Sequence, residues 1–220
     1  MRHLRPIFLA SFFFSIHVAL LTYLNSSMLS RFGTAGIVSE IYMIGSVLSC
    51  VFLFVVPSVI RRSGLVKATI GILLVSSLLL FGISTTAQSA LVVGFFALYF
   101  SLNVVITYFF DLLVEHYSVV RTTGRTRGLF LMINNIGWVG APLIAGVITG
   151  RFGFSTVYLC ASIAVLTAGT LIFASQRNFK DKVYQHGSII KTFRSLPRVP
   201  CFYITTMKLP PITWAPSSCN

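Results

Sequence analysis

The sequence predicts an all-α integral membrane protein with six transmembrane helices arranged as two three-helix repeats and both termini cytoplasmic. Three observations predict it. Mean hydropathy is +0.87, with 55% hydrophobic and only 10% charged residues in 220, which excludes an ordinary soluble domain and a largely disordered chain. Six apolar runs each have roughly the length needed to cross a hydrocarbon core of ~30 Å. Finally, 15 of the 17 Lys and Arg residues fall on one side of those runs.

Taken in order, the first run, 7–24, follows Arg2 and Arg5. Cations before an apolar core also describe a signal peptide, but this core is long and no small-residue cleavage site follows it, so it reads as a retained span. A polar turn at 25–34 leads to the second run, 35–59, with Pro57 near its end, where a lost backbone bond matters least. Arg61, Arg62, Ser63, Gly64 and Lys67 form a tight basic turn before the third run, 68–85. The fourth, 90–112, ends on Asp111. Beyond Arg121, Arg125 and Arg127 come the fifth, 129–149, and, after a minimal turn at 151–154, the sixth, 155–175. Lipid forbids exposed irregular backbone, and the alternation of barrel strands is absent, so these runs must be helices.

Arg2, Arg5, Arg61, Arg62, Lys67, Arg121, Arg125, Arg127 and seven cations after residue 175 share one side, leaving Arg31 and Arg151 on the other. The positive-inside rule makes the crowded side cytoplasmic. A net charge of +13 also suits nucleic acid, but the cations sit in short clusters between apolar runs rather than on a polar face. The expected partner is therefore a lipid bilayer and not nucleic acid. Cys50 and Cys160 lie in spans and Cys201 and Cys219 in the tail, without close pairing or metal-like spacing, so free thiols are expected. Residues 1–175 form the bundle and 176–220 a basic, proline-containing cytoplasmic tail or linker. Within the tail, Val183, Ile189, Ile190 and Phe193 are spaced as in an amphipathic surface helix.

Arg-x-Gly occurs three times, at Arg31-Phe32-Gly33, Arg62-Ser63-Gly64 and Arg151-Phe152-Gly153. Helix termination explains it simply: a cation meets the negative helix end and glycine supplies a left-handed cap. The second and third copies also follow spans two and five, the matching loops of two three-helix units, and inverted repeats of this kind mark transporters.

The residues 57–67, Asp111 at the end of helix four, Arg127-Gly128 at the start of helix five, and Gly140-Ala141-Pro142 with Gly146 together resemble the N-terminal six-helix half of a major facilitator superfamily transporter. The likeness covers about Arg5 to Phe179. It departs from the superfamily at Pro57, where the signature loop has glycine, and at Arg61, where it has an acid.

The resemblance implies a multi-pass protein of the cell membrane that moves a small solute by alternating access and performs no enzyme chemistry. No cofactor or metal is implied, and no Ser/His, paired-acid or metal constellation lies at common depth in the spans. A non-transporting six-helix scaffold or assembly subunit is the alternative. A transporter of this build requires a second six-helix half, in cis, in trans or as a homodimer, and the proline-rich end makes truncation or a shifted frame the expected account.

Tyr99, Asn103, Thr107 and Asp111 stand four residues apart on one face of helix four. Such a stripe must face protein or water. With His17 of helix one, the first three become substrate-cavity candidates by resemblance; interhelical hydrogen bonding worth about 0.6 kcal/mol each is the plainer alternative. The resemblance also implies a cytoplasmic charge lock in which Asp111 meets Arg61, Arg62 or Arg127 beside Gly64; a surface ion pair worth about 0–1 kcal/mol is the alternative. In helix five, Asn134, Gly137, Ala141 and Ala145 share a face, and with Pro142 and Gly146 they suit close helix packing. Glu40 and His17 are minority candidates for coupling-ion work.

Overall fold

The structure, a computed structural model, describes residues 4–118 and 123–175, which are helical apart from short connections. The tail at 176–220, with Cys201 and Cys219, and also Arg2 and Arg121, lie outside the described residues. In chain order the helices are α1 (Leu4–Thr22), α2 (Asn25–Leu29), α3 (Ala35–Ser63), α4 (Leu65–Thr85), α5 (Ser89–Tyr117) and α6 (Thr123–Ser175). Five are long and apolar enough to cross a membrane. The fifth of these, α6, breaks at Gly153 into two arms, 123–152 and 154–175, so it carries two of the six apolar runs. The chain is thus an all-α protein built to be embedded in a membrane.

Helix is the only conformation that lets each run satisfy its backbone internally, which is why β-branched stretches such as Ile37-Val38 and Val92-Val93 stay helical. Two boundaries differ from the sequence expectation. Helices α3 and α5 each have 29 residues, about 44 Å at 1.5 Å per residue, against ~30 Å of hydrocarbon. They continue past residues 59 and 112, α3 through Arg61-Arg62 and α5 through the buried Leu113-Val114 to Glu115, because a helix entering water keeps its own hydrogen bonds and needs only polar side chains once its packing ends. Pro57 consequently lies inside α3, six residues before its last residue rather than at its end. The polar turn expected at 25–34 also contains α2, which holds itself with backbone bonds from Met28 to Leu24 and from Ser30 to Ser26. The Tyr158 hydroxyl anchors α2 by donating to Asn25 Oδ1 at 2.7 Å.

Two glycines make the sharpest turns. Gly64 (φ 80°, ψ 156°) is at once the last cap of α3 and the first cap of α4, and Gly153 (φ 80°, ψ 177°) joins the arms of α6. This is an extended region of positive φ open essentially to glycine alone, rather than the left-handed cap anticipated from the Arg-x-Gly pattern. Gly33, in the first copy, has no positive φ. Each elbow is a single residue.

Packing follows helix faces. α1 lies on the first arm of α6, with Ser15 and Ile16 against Gly137 and Phe8 near Phe130, ring centroids 6.3 Å apart. α3 lies on α5, and α4 lies on α5 and on the second arm of α6; α3 and α4 barely touch beyond their elbow. The second arm buries Val157, Tyr158, Ala161, Val165, Ala168 and Ile172, a stripe at helical spacing.

Serines bond across these contacts. Ser15 Oγ donates to Asn134 O at 2.6 Å. Ser101 Oγ divides its proton between Ala97 O at 2.6 Å and Gly45 O at 3.0 Å. Ser77 and Ser162 are reciprocal: each hydroxyl reaches the other's carbonyl, at 3.1 and 2.9 Å. The two carbonyls that accept across α1/α6 and α3/α5 are 134 − 45 = 89 positions apart, and the elbow glycines are 153 − 64 = 89 apart.

Candidate functional site

The polar stripe of α5 changes character along its length. Tyr99, at mid-helix, is buried, and its hydroxyl lies 3.2 Å from Nε2 of His17, which is also fully buried. The other ring nitrogen, Nδ1, bonds the Phe14 carbonyl. A carbonyl can only accept, so Nδ1 carries the hydrogen and donates to it, while the Tyr99 hydroxyl bonds Nε2. Both ring nitrogens of His17 are therefore satisfied, and the ring is wedged between Phe14 and Tyr99 at centroid distances of 4.7 and 6.0 Å. Neither residue is exposed.

One turn further on, Asn103 is half-buried and its Oδ1 is buried without a hydrogen-bond partner. Its backbone carbonyl accepts from Thr107 Oγ1 at 3.0 Å, and Thr107 is exposed. The four cavity candidates thus divide into a closed pair, His17 and Tyr99, and an open pair, Asn103 and Thr107. Asn134 of α6 resembles Asn103 in having a buried, unpartnered Oδ1. An amide oxygen left so in an apolar bundle is costly, about 1–3 kcal/mol.

At the end of the bundle that carries the Gly64 elbow, Asp111, Arg127, Phe130 and Leu131 line a pocket of about 320 Å3. The ion pair at this end joins Arg127 to Glu115 at 3.2 Å, with both side chains more than half exposed. Solvent screening therefore keeps it within the ~0–1 kcal/mol of surface pairs. Glu115 stands four residues after Asp111, on the same helix face, and the sequence analysis missed it. Arg61 donates instead to Ser58 Oγ at 3.3 Å, within its own helix, and Arg62 is exposed. Of the residues implied as a charge lock, the structure gathers Asp111 and Arg127 in one pocket and leaves Arg61, Arg62 and Gly64 at the α3–α4 elbow.

The packing candidates separate similarly. Gly137, Ala141 and Ala145 form a buried row facing α1, Pro142 is half-buried, and Gly146 is exposed with open space where a side chain would project. Glu40 is exposed near the start of α3. Cys50 and Cys160 are free thiols. No family model, curated protein or solved structure matches this chain.

Sequence reasoning also passed over the interhelical serines. A serine in an apolar helix usually bonds its own helix, as Thr69 does with Leu65 O. Only position relative to a second helix distinguishes Ser15, Ser77, Ser101 and Ser162.

Proposed function

We propose that this chain moves a small solute across the cell membrane by alternating access, as one six-helix half of a secondary transporter. In this reading the half consists of two three-helix units of opposite orientation, and both termini are cytoplasmic. The observation that carries the proposal is the shared 89-residue offset. One-residue elbows of rare geometry recur at Gly64 and Gly153, and carbonyls that accept serines from a neighbouring helix recur at 45 and 134. A two-fold relation between 4–85 and 89–175 would pair α3 on α5 with α1 on the first arm of α6, and α4 with the second arm. Inverted repeats of this kind place substrate sites near the midplane at the repeat interface.

Asn103, Asn134 and Thr107 are the groups with hydrogen-bonding capacity to offer a solute. Asp111, Glu115 and Arg127 form the cytoplasmic charge cluster that must loosen when the cavity opens inward. Six helices supply one wall of such a cavity, so the partner is a second six-helix half. The alternative, a non-transporting scaffold, draws on the closure of His17 and Tyr99 against each other.

Two experiments test the proposal. Purified full-length chain in proteoliposomes should take up at least one solute of a panel saturably; flat, non-saturable uptake across the panel would favour the scaffold. Arg125→Cys should react with an impermeant maleimide only after cells are permeabilised, and Arg151→Cys in intact cells. The reverse labelling would overturn the topology.

A further inference from the structure

We propose that the cleft between α3 and α4 holds one acyl chain of an anionic phospholipid, with its phosphate at Lys67 and Ser63. The two helices leave the Gly64 elbow, each leans on α5, and they barely touch each other. Between them lies a trough of about 360 Å3. Val56 and Val59 form one wall, Ile72 and Val75 the other, and Leu102 and Phe109 the floor. From the elbow to its far end the trough runs 8–11 residues of helix (Lys67 to Val75, Ser63 to Phe52), roughly 12–16 Å at 1.5 Å per residue. That is close to half of a ~30 Å hydrocarbon core, the depth of one leaflet.

Polarity is confined to the elbow end. Ser63 and Lys67 are the polar residues among the lining set, both are exposed, and Arg61 and Arg62 lie directly before them. No acid occurs between Glu40 and Asp111. Asp111, the nearest acid along α5, belongs to the separate pocket with Arg127. An apolar slot with a cationic mouth at the membrane surface complements a chain with a phosphate at its head, and basic pockets between transmembrane helices recognise such headgroups. Gly71 keeps the slot open: a Cβ built there meets nothing within 4 Å. A larger side chain at 71 can therefore occupy the slot without displacing a neighbour.

The test uses purified full-length chain in detergent, titrated with palmitoyl-oleoyl phosphatidylglycerol or phosphatidylcholine and read by native mass spectrometry. Phosphatidylglycerol should bind about fivefold more tightly, as expected for one cation near a headgroup of net charge −1 rather than a zwitterionic one whose choline offsets its phosphate. Lys67→Gln should erase that preference while leaving binding, and Gly71→Leu should lower occupancy by both lipids. Equal affinity for the two lipids in the unaltered chain, or an unchanged preference in Lys67→Gln, would overturn the proposal. Lys67 is exposed next to an elbow, so its replacement does not endanger folding should Gly71→Leu do so. Displacement of phosphatidylglycerol by an equal concentration of oleic acid would reassign the slot to a free fatty acid. Disulfide-linked dimers from Val59→Cys would reassign it to a second copy of the chain.

Discussion

The helices on either side of Gly64 and those on either side of Gly153 are joined alike and surrounded differently. Both joints are single glycines at φ 80°, and both preceding helices offer a carbonyl to a serine. Yet α3 is only 22% buried over its most apolar window, against 50% for α6, and that burial belongs to the second arm, through Val157, Tyr158, Ala161, Val165, Ala168 and Ile172; the first arm, on α1 through Gly137, Ala141 and Ala145, is about as open as α3. After the first elbow the helices spread instead, and Arg61, Arg62 and Lys67 crowd the joint where the second has Arg151 alone. Backbone geometry that only glycine tolerates is thus the same in both stretches, while the side chains around it differ. A joint fixes the angle between two helices; it does not dictate what lines the gap.

The largest effects should come from the joints. Gly64→Ala and Gly153→Ala should each lose about 1–3 kcal/mol of stability, the strain of holding a side chain in this region, read as a lowered unfolding midpoint in detergent. Comparable losses sharpen the parallel between the stretches, and a silent Gly153→Ala breaks it. Next come the close helix approaches. A Cβ on Gly45 would lie 2.7 Å from the Phe100 ring, whereas on Gly137 it would lie 3.2 Å from Ser15 Oγ and 3.3 Å from the Ile16 backbone nitrogen. Gly45→Ala should cost about 1–3 kcal/mol by overpacking and be partly rescued by Phe100→Leu, a coupling that a double-mutant cycle detects. Gly137→Ala should cost less, and no single side-chain change should rescue it, because backbone is part of the obstacle.

Smaller still are the serines. Ser15→Ala and Ser101→Ala should each lose about 0.6 kcal/mol, the usual worth of an interhelical hydrogen bond in a membrane protein. Ser15 should lose the more, because its proton is not shared with its own helix. Smallest is Glu115→Gln: an exposed pair with Arg127 should contribute a few tenths of a kcal/mol, vanishing in high salt. A loss of several kcal/mol there would mean that the charge cluster is buried in an assembly.

The apolar runs were legible because hydropathy measures what lipid requires, so helices were expected within a few residues of where they lie. Their ends were not: beyond Ile60 and Val114 the chain turns polar, and hydropathy cannot distinguish a helix protruding into water from a loop. The short helix α2 was missed because its support is Tyr158, 133 positions away from Asn25. Tyr99 and His17 were both singled out as polar residues inside spans, but their mutual bond requires knowing how α1 is rotated against α5. Glu115 could have been found, since it repeats the position of Asp111 one turn later and precedes Arg127 by twelve residues.

A single-residue connection between two long rods leaves no slack. Any tilt imposed on α3 must reach α4 through two rotatable bonds at Gly64, and the same holds for the arms of α6 at Gly153. Each pair of rods therefore behaves as a lever with its pivot at the water line, so a small push beside the pivot becomes a wide sweep at the far tips.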